Sequence, residues 1–402
     1  SDTEVARNPH QPEGWRRDGI DFFVPPPPRC TQTSRRRCFA NSTPSRSPQM
    51  LWYSWDEALG VKVEQEGVLT REGAEAQIAA IHETIGRVII GQSGLIDKLL
   101  IALFSKIPYS FKGSGGEKAG CGHVLLEGVP GLAKTLAVTA IARAIDAQFQ
   151  RIQFTPDLLP GDIIGTRVYE TSSSTFTTEK GPIFAHIVLA DEINRGTPKT
   201  QSALLEAMQE RQVTISEETF GLPEPFWVLA TQNPLEQEGV YVLPEAQLDR
   251  FSMKIVVPYP SPEDEEKILQ MRLVEQEILP VITPQEVSQI QSLTSQVSVE
   301  TQVHRYIVRL GRMTRGDEES SPTVVREMVL HGISPRALQH VLALARTHAF
   351  MAGRDYVLPK DVKAIAVEAL QHRIIRTIRA ETQGVSGGQI VSEMLRHVAL
   401  YE

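Results

Sequence analysis

His123-Val124-Leu125-Leu126-Glu127-Gly128-Val129-Pro130-Gly131-Leu132-Ala133-Lys134-Thr135-Leu136 is the stretch on which the fold turns. Its first half is an apolar run of strand length. Its second half opens on glycine, closes on Lys-Thr, and passes into Leu136, Val138, Ile141 and Ala142 at helical spacing. Two glycines and a Lys-Thr pair at this spacing, between a strand and a helix, make a phosphate-cradling loop. Such a loop turns backbone N–H groups onto phosphate oxygens and adds the positive end of the following helix. Gly128, Val129, Pro130, Gly131, Leu132, Ala133, Lys134 and Thr135 are thus the candidate nucleotide-binding residues, for ATP. Lys134 would reach the β- and γ-phosphates, and the Thr135 hydroxyl would hold Mg²⁺. Ala133 stands where glycine is usual. A helical φ there costs nothing, whereas a positive φ would strain the loop. A tight strand–helix turn without nucleotide is the plainer alternative, against which the Lys-Thr pair weighs.

Working outward, short apolar runs alternate with helical patterns: His123–Leu126, Phe149–Phe154, Ile187–Ala190, Trp227–Ala230 and Met253–Val257. Strands separated by helices imply βαβ units and a mostly parallel sheet. Upstream, periodic structure begins near Thr70, and Ile78, Ile81, Ile85 and Val88 predict a helix that leads to Ile89-Ile90-Gly91-Gln92. A Gly-rich loop is expected over Lys112 to Gly122. From Ser261 onward the pattern is all helical, with starts at Ser261-Pro262, Thr283-Pro284 and Ser334-Pro335. The expectation is an α/β P-loop core over 67–260 and an α-helical lid over 261–402.

Ile187 to Ala190 ends in Asp191-Glu192, at the end of a parallel strand, where open α/β sheets bind ligands. Asp191 would position Mg²⁺ and Glu192 would polarise an attacking water. In isolation such a pair is as easily a solvated loop. Trp227 to Ala230 runs into Thr231-Gln232-Asn233-Pro234, where Asn233 could bond the γ-phosphate or the water, or could simply begin an Asn-Pro turn. Alternation around polar turns predicts two hairpins. One, between Phe154 and Ile187, is set inside a helix; the other spans Gln212 to Leu222.

Gly128–Thr135, Asp191-Glu192-Ile193-Asn194-Arg195, Thr231-Gln232-Asn233-Pro234, Leu248-Asp249-Arg250-Phe251 and Gly332-Ile333-Ser334-Pro335-Arg336-Ala337 occur in that order. The set resembles the MoxR-type AAA+ ATPases, of the helix-2-insert branch, over roughly residues 70 to 380. The segments Lys199 to Met208 and Gly353-Arg354-Asp355-Tyr356-Val357 are similar to family segments as well. The resemblance implies a Mg-dependent ATPase, with Asp191 and Glu192 as the Walker B acids and Asn233 as the first sensor. It further implies that Arg250 is an arginine finger reaching a neighbour's site and that Arg336 is the second sensor, carried by the lid. Spread positive charge facing a transferring phosphoryl group suits both. A surface ion pair of Arg250 with Asp249, and an exposed lid cation at Arg336, are the plainer alternatives. Arg195 is a weaker candidate for sensing the neighbour. Family loops often carry Ala before the Lys, which implies that Ala133 is admissible. A homo-oligomer, specifically a hexameric ring with both hairpins at its pore, is implied too. So are client proteins that the ring remodels or matures, and a separate partner with a von Willebrand factor A domain.

The chain has 402 residues, 41% hydrophobic, with a net charge of −8. The acidic balance argues against nucleic-acid binding, which needs clustered Lys and Arg. No apolar stretch reaches the roughly 18–20 residues of a membrane span. Cys30, Cys38 and Cys121 form no CxxC pair, which gives no zinc site and fits a reducing, cytoplasmic setting. Residues 1–66 differ from the rest: they hold Pro25 to Pro28, Arg35 to Arg37 and a Ser/Pro-rich run to Pro48. With no periodicity and little to bury, this is expected to be a disordered tail. A targeting segment or an accident of the chain's start are the alternatives, the first opposed by Asp2, Glu4, Glu13, Asp18 and Asp21. Two other functional classes stay in view: a nucleotide-gated binding module with little turnover, and a nucleic-acid motor.

Overall fold

The computed structural model describes residues 69–109, 118–234, 239–270, 278–316 and 321–398. The expected tail over 1–66 lies outside them. Five strands form one parallel sheet: β1 (Val124–Glu127), β2 (Phe149–Gln153), β3 (Ile187–Asp191), β4 (Trp227–Gln232) and β5 (Met253–Val256), in the order β5-β1-β4-β3-β2. Their registers bring all the C-terminal ends to one edge: Glu127 pairs with Gln232 and Val256, and Asp191 with Gln153.

The sheet forms because its central strands are apolar on both faces. Val124, Leu126, Ile187, Leu189, Trp227 and Leu229 enter one buried cluster, while Leu125, Val188, Ala190, Val228 and Ala230 enter another. That two-sided burial is what a parallel sheet covered by helices requires. On the first face lie α1 (Arg71–Gly86), α2 (Ser93–Phe104) and α3 (Lys134–Ala144), together with helices Pro284–Ser295, Thr301–Thr314, Pro335–Met351 and Pro359–Leu370. Helix Pro198–Glu210 covers the second face with Leu204, Leu205 and Met208. The Thr70 hydroxyl caps α1 by accepting from the Gly73 N–H, and Ile78, Ile81 and Ile85 supply its buried stripe.

Both hairpins are present, Gly165–Glu170 with Thr175–Lys180 and Gln212–Ile215 with Glu218–Gly221. Three details depart from the sequence reading. The first hairpin follows a helix of one turn, Pro160–Ile164, and no helix resumes after it. Gly165 and Gly181 explain the tight junction. A Cβ on either would sit 2.2 Å from a backbone oxygen, of Glu179 or Ile163, and Gly165 has a φ of 103°. Within the expected Gly-rich loop, Lys118–Gly120 instead pairs with Ile107–Tyr109. The C-terminal part is not wholly helical, since Val329–His331 pairs with Ile375–Arg376.

Candidate nucleotide site and a second cationic site

The C-terminal edge of the sheet gathers most of the predicted residues. The loop 128–133 leaves β1 and ends at α3, whose first residue is Lys134. Ala133 adopts φ 55° and ψ 19°, so the condition under which alanine is strained is the one that holds. Left-handed backbone costs an L-residue about 1–2 kcal/mol. Gly131 has φ 87° with open space around it. Positive φ at Gly131 and Ala133, either side of Leu132, curls the loop, and α3 has no side-chain N-cap, so its first turn is a ready anion site. The Lys134 ammonium donates to the Gly128 carbonyl at 2.5 Å. Burial lowers its pKa, opposed by Asp191, Glu192 and Glu127.

Asp191 and Glu192 are each engaged by an arginine. Arg151, on β2, reaches Asp191 Oδ2 at 3.0 and 2.6 Å, and Arg195 donates to Glu192 Oε2 at 3.0 Å. Gln153 also donates to Glu192, at 2.8 Å. Beneath both acids lies Thr231, 2% exposed. Its hydroxyl donates to Asp191 Oδ1 at 2.5 Å and accepts from the Glu192 N–H at 2.8 Å. That acceptor ties down the Glu192 backbone, which stands at φ 55° just past the strand. Asn233, 7% exposed, follows on β4, the strand between β1 and β3. Lys134, Thr135, Asp191, Glu192 and Asn233 therefore converge on one edge.

Sequence reasoning missed Arg151, Gln153 and the part played by Thr231. Arg151 and Gln153 lie inside what the sequence offers as a short apolar run, Phe149–Phe154, and prove to be exposed positions on that strand. Only the pairing of β2 with β3 puts them beside acids some forty residues away. Thr231 lay inside a quoted motif, and a hydroxyl at the end of a buried strand was the available signal.

Arg250 and Arg336 are not at that edge. Arg250 precedes β5, whose first residue Met253 pairs with Val124 at the start of β1. Four strand residues separate that level from the loop, about 13 Å at 3.3 Å per residue. Arg336, in the first turn of helix Pro335–Met351, lies at the same end, with its guanidinium 3.7 Å from Asp249. Both line a cavity of about 280 Å³ with Tyr109, His123, Arg211 and His340. Burial, then the charge of Arg336, pushes the Arg250 guanidinium below its usual range, opposed by Glu206 and Glu210. The chain thus carries the two acids and the loop 128–133 at one end of the sheet and, at the other, a cationic cavity.

A family model described as the ATPase family associated with various cellular activities (AAA) matches residues 123–253, and one for the AAA lid domain matches 321–394. The chain is 44% identical over 335 residues to the chaperone MoxR1 of Mycobacterium tuberculosis, covering 82% of this chain and 85% of that one. It belongs to the MoxR group of AAA ATPases. It is also 30% identical to the protein MoxR of Paracoccus denitrificans, over 74% of this chain and 88% of that one. A crystal structure from Cytophaga hutchinsonii, described as an ATPase, superposes with a TM-score of 0.73 at 41% identity, over 82% and 96% of the two chains. Among the described residues no helix is long and apolar enough to cross a membrane.

Proposed function

We propose that this MoxR-group chain hydrolyses ATP at sites shared between subunits of a ring and uses the cycle to remodel client proteins. The observation that carries the reading is the register of β5 against β1. It puts Arg250 at the far end of the sheet from its own phosphate loop, beyond side-chain reach. A cation so placed can act on phosphate only if another subunit brings its own nucleotide edge to it, and Arg336 stands beside it for the same purpose.

In each site, the N–H groups of 128–135 and Lys134 would bind the ATP phosphates, and Asn233 would orient the γ-phosphate or the water. Mg²⁺ would be held by the Thr135 hydroxyl and Asp191. Among the described residues no set of three or more His, Cys, Asp or Glu is arranged to hold a metal. The ion would therefore depend on phosphate oxygens and water to complete its shell, as Mg²⁺ commonly does; bound there, it would neutralise developing phosphate charge. Glu192 accepts a proton from the attacking water, whose oxygen bonds to the γ-phosphorus as the bond to the ADP oxygen breaks. Arg250 and Arg336 from the neighbour stabilise the charge that develops. A hexameric ring, hairpins lining its pore, a separate von Willebrand factor A partner and a role in enzyme maturation complete the reading.

Lys134→Ala should abolish ATP binding, and Glu192→Gln should bind ATP, assemble and stall. Equilibrium nucleotide binding and phosphate release measure the two. A Glu192→Gln protein that turns over at the wild-type rate would remove Glu192 from the mechanism. A wild-type protein that binds ATP without releasing phosphate would favour a nucleotide-gated binding module.

A further inference from the structure

The segment that carries Arg250 is gripped from behind by one buried side chain of the C-terminal helices. Arg373, just past helix Pro359–Leu370, has a side chain 1% exposed. One terminal nitrogen lies 3.0 Å from the Asp249 carbonyl and 2.8 Å from the Phe251 carbonyl, the groups on either side of Arg250. The same nitrogen is 2.9 Å from His340 Nδ1, and Nε is at ion-pair distance, 3.0 Å, from the Asp249 carboxylate. His372 adds a bond from Nε2 to the Phe251 carbonyl at 2.9 Å. The Asp249 carboxylate also meets Ser334 Oγ at 3.3 and 3.4 Å, and Ser334 caps the helix that carries Arg336.

A buried guanidinium is a costly way to anchor a loop, and apolar side chains of like volume often do as well or better. Burial pushes this one down to about 10. What an apolar residue lacks is a planar fork of donors that can fix several acceptors at set distances. Here a terminal nitrogen meets the carbonyls that flank one functional side chain, while Nε lies at ion-pair distance from the carboxylate that faces the other.

We propose that Arg373 is a positioning residue for the arginine finger. It fixes the backbone on both sides of Arg250 and, through Asp249, sets Arg250 and Arg336 in one frame. This rests on the reading of Arg250 as a residue that completes the neighbour's site. Its consequence is that any displacement of the C-terminal helices is passed to the finger of the same subunit, and so to the nucleotide of the next.

The test uses the full chain in assembled form. Arg373→Lys keeps a buried charge near Asp249 but has a single nitrogen, which cannot hold both carbonyls and the Asp249 carboxylate together as two nitrogens of Arg373 do, and Arg373→Met removes charge and donors together. Misplacement of a catalytic group by about an ångström costs on the order of 10²-fold. Arg373→Lys should therefore bind ATP within about twofold of wild type and turn over about 10²-fold more slowly. In an Arg250→Ala background the same change should slow turnover by far less than about 10²-fold, because only the hold on Arg336 through Asp249 is left to disturb. Mixed with Lys134→Ala subunits, whose fingers are intact, Arg373→Lys should regain activity that neither shows alone. Full multiplication of the two losses would overturn the proposal. So would a lack of recovery in mixtures where Arg250→Ala does recover, since Arg373 would then act on its own site or on folding. A lowered melting temperature with normal turnover per folded subunit would make Arg373 structural only. Should Arg373→Met not fold, the Lys variant alone decides. An Arg250→Ala protein as active as wild type would instead remove the finger reading itself, and the proposal with it.

Discussion

Ala133 shows how much one dihedral angle decides. Placed at φ 55° between loop and helix, it keeps a left-handed conformation that a Cβ disfavours. The strain is held by its neighbours: the Ala133 carbonyl already accepts from the Ala137 N–H, and Leu132 is buried beneath. Replacing it with glycine should relieve about 1–2 kcal/mol of strain and lose about 0.5–1 kcal/mol to the greater freedom of the unfolded chain. The expected result for Ala133→Gly is a net gain of about 0 to 1.5 kcal/mol, read as a raised denaturant midpoint at unchanged slope. ATP binding should be retained. Ala133→Val, a β-branched residue at positive φ, should instead lower both stability and ATP affinity. Equal stability of the Gly and Val variants would mean that the loop relaxes to a negative φ in solution.

At the scale of elements, the hairpin Gly165–Lys180 stands out because its aromatic side chains face solvent. Tyr169 is 50% and Phe176 60% exposed, their rings 5.1 Å apart, with the Arg167 guanidinium over Phe176. Apolar groups left exposed on a ribbon contribute little to the core, and surface changes of this kind usually stay within about 0.5 kcal/mol. Tyr169→Ser with Phe176→Ser should therefore leave melting and basal ATP turnover nearly unchanged. In a Glu192→Gln background, the same pair should weaken retention of an unfolded model polypeptide, measured by fluorescence anisotropy. Unchanged retention would mean that the aromatic pair serves only the hairpin. The hairpin itself was legible, because period-two alternation about a polar turn needs no distant partner. So were the five strands of the parallel sheet, the apolar runs of β1, β3 and β4 reporting burial on both faces. The short pairs Ile107–Tyr109 with Lys118–Gly120 and Val329–His331 with Ile375–Arg376 were not legible. Strands of two or three residues carry no period, and their partners are set by packing. For the same reason the 128–135 loop and the two acids stand out as candidates in local spacing, while Arg151, Gln153 and Arg373 became visible only once the chain was folded.

For the molecule as a whole, the interior at the N-terminal end of the sheet is built from neutral histidines. His123 accepts from the Val228 N–H at Nδ1 and faces the Met208 carbonyl with Nε2, which fixes one neutral tautomer. His340 accepts from Arg373, and His372 donates to Phe251. Burial first, then nearby arginines, holds all three well below the ordinary histidine range. In the unfolded chain they bind protons below about pH 6.5, so there the unfolded state holds more protons than the native one. Stability then rises with pH through this window and is lost as pH falls below about 6.5. Melting temperature should drop on acidification from pH 7 to pH 5, and His123→Asn should flatten that slope. A wild-type melting temperature independent of pH over this range would mean that these rings protonate freely in the folded protein.

The separation of the two ends also decides which variants can repair one another. Lys134, Asp191 and Glu192 belong to one edge, Arg250 and Arg336 to the other, and a whole site would take one edge from each of two subunits. Variants with damage at opposite edges should complement when mixed: Arg336→Ala with Lys134→Ala should regain part of the turnover that each lacks. Variants damaged at the same edge should not. Glu192→Gln with Lys134→Ala leaves every phosphate-loop edge defective, and Arg250→Ala with Arg336→Ala leaves every cationic edge short of one arginine. Fingers supplied by a neighbour are worth on the order of 10³–10⁵ in rate in other phosphoryl-transfer systems, so even a minority of whole interfaces should rise above the background of the parent variants. Recovery should also fall away on dilution as subunits part. The decisive pair is Arg336→Ala with Lys134→Ala, because a second sensor that served its own nucleotide would leave no whole site in that mixture. Recovery there would assign Arg336 to the neighbour's phosphate alongside Arg250. Its absence, in mixtures where Arg250→Ala does recover, would mean that the C-terminal helices swing Arg336 back to its own loop when ATP binds.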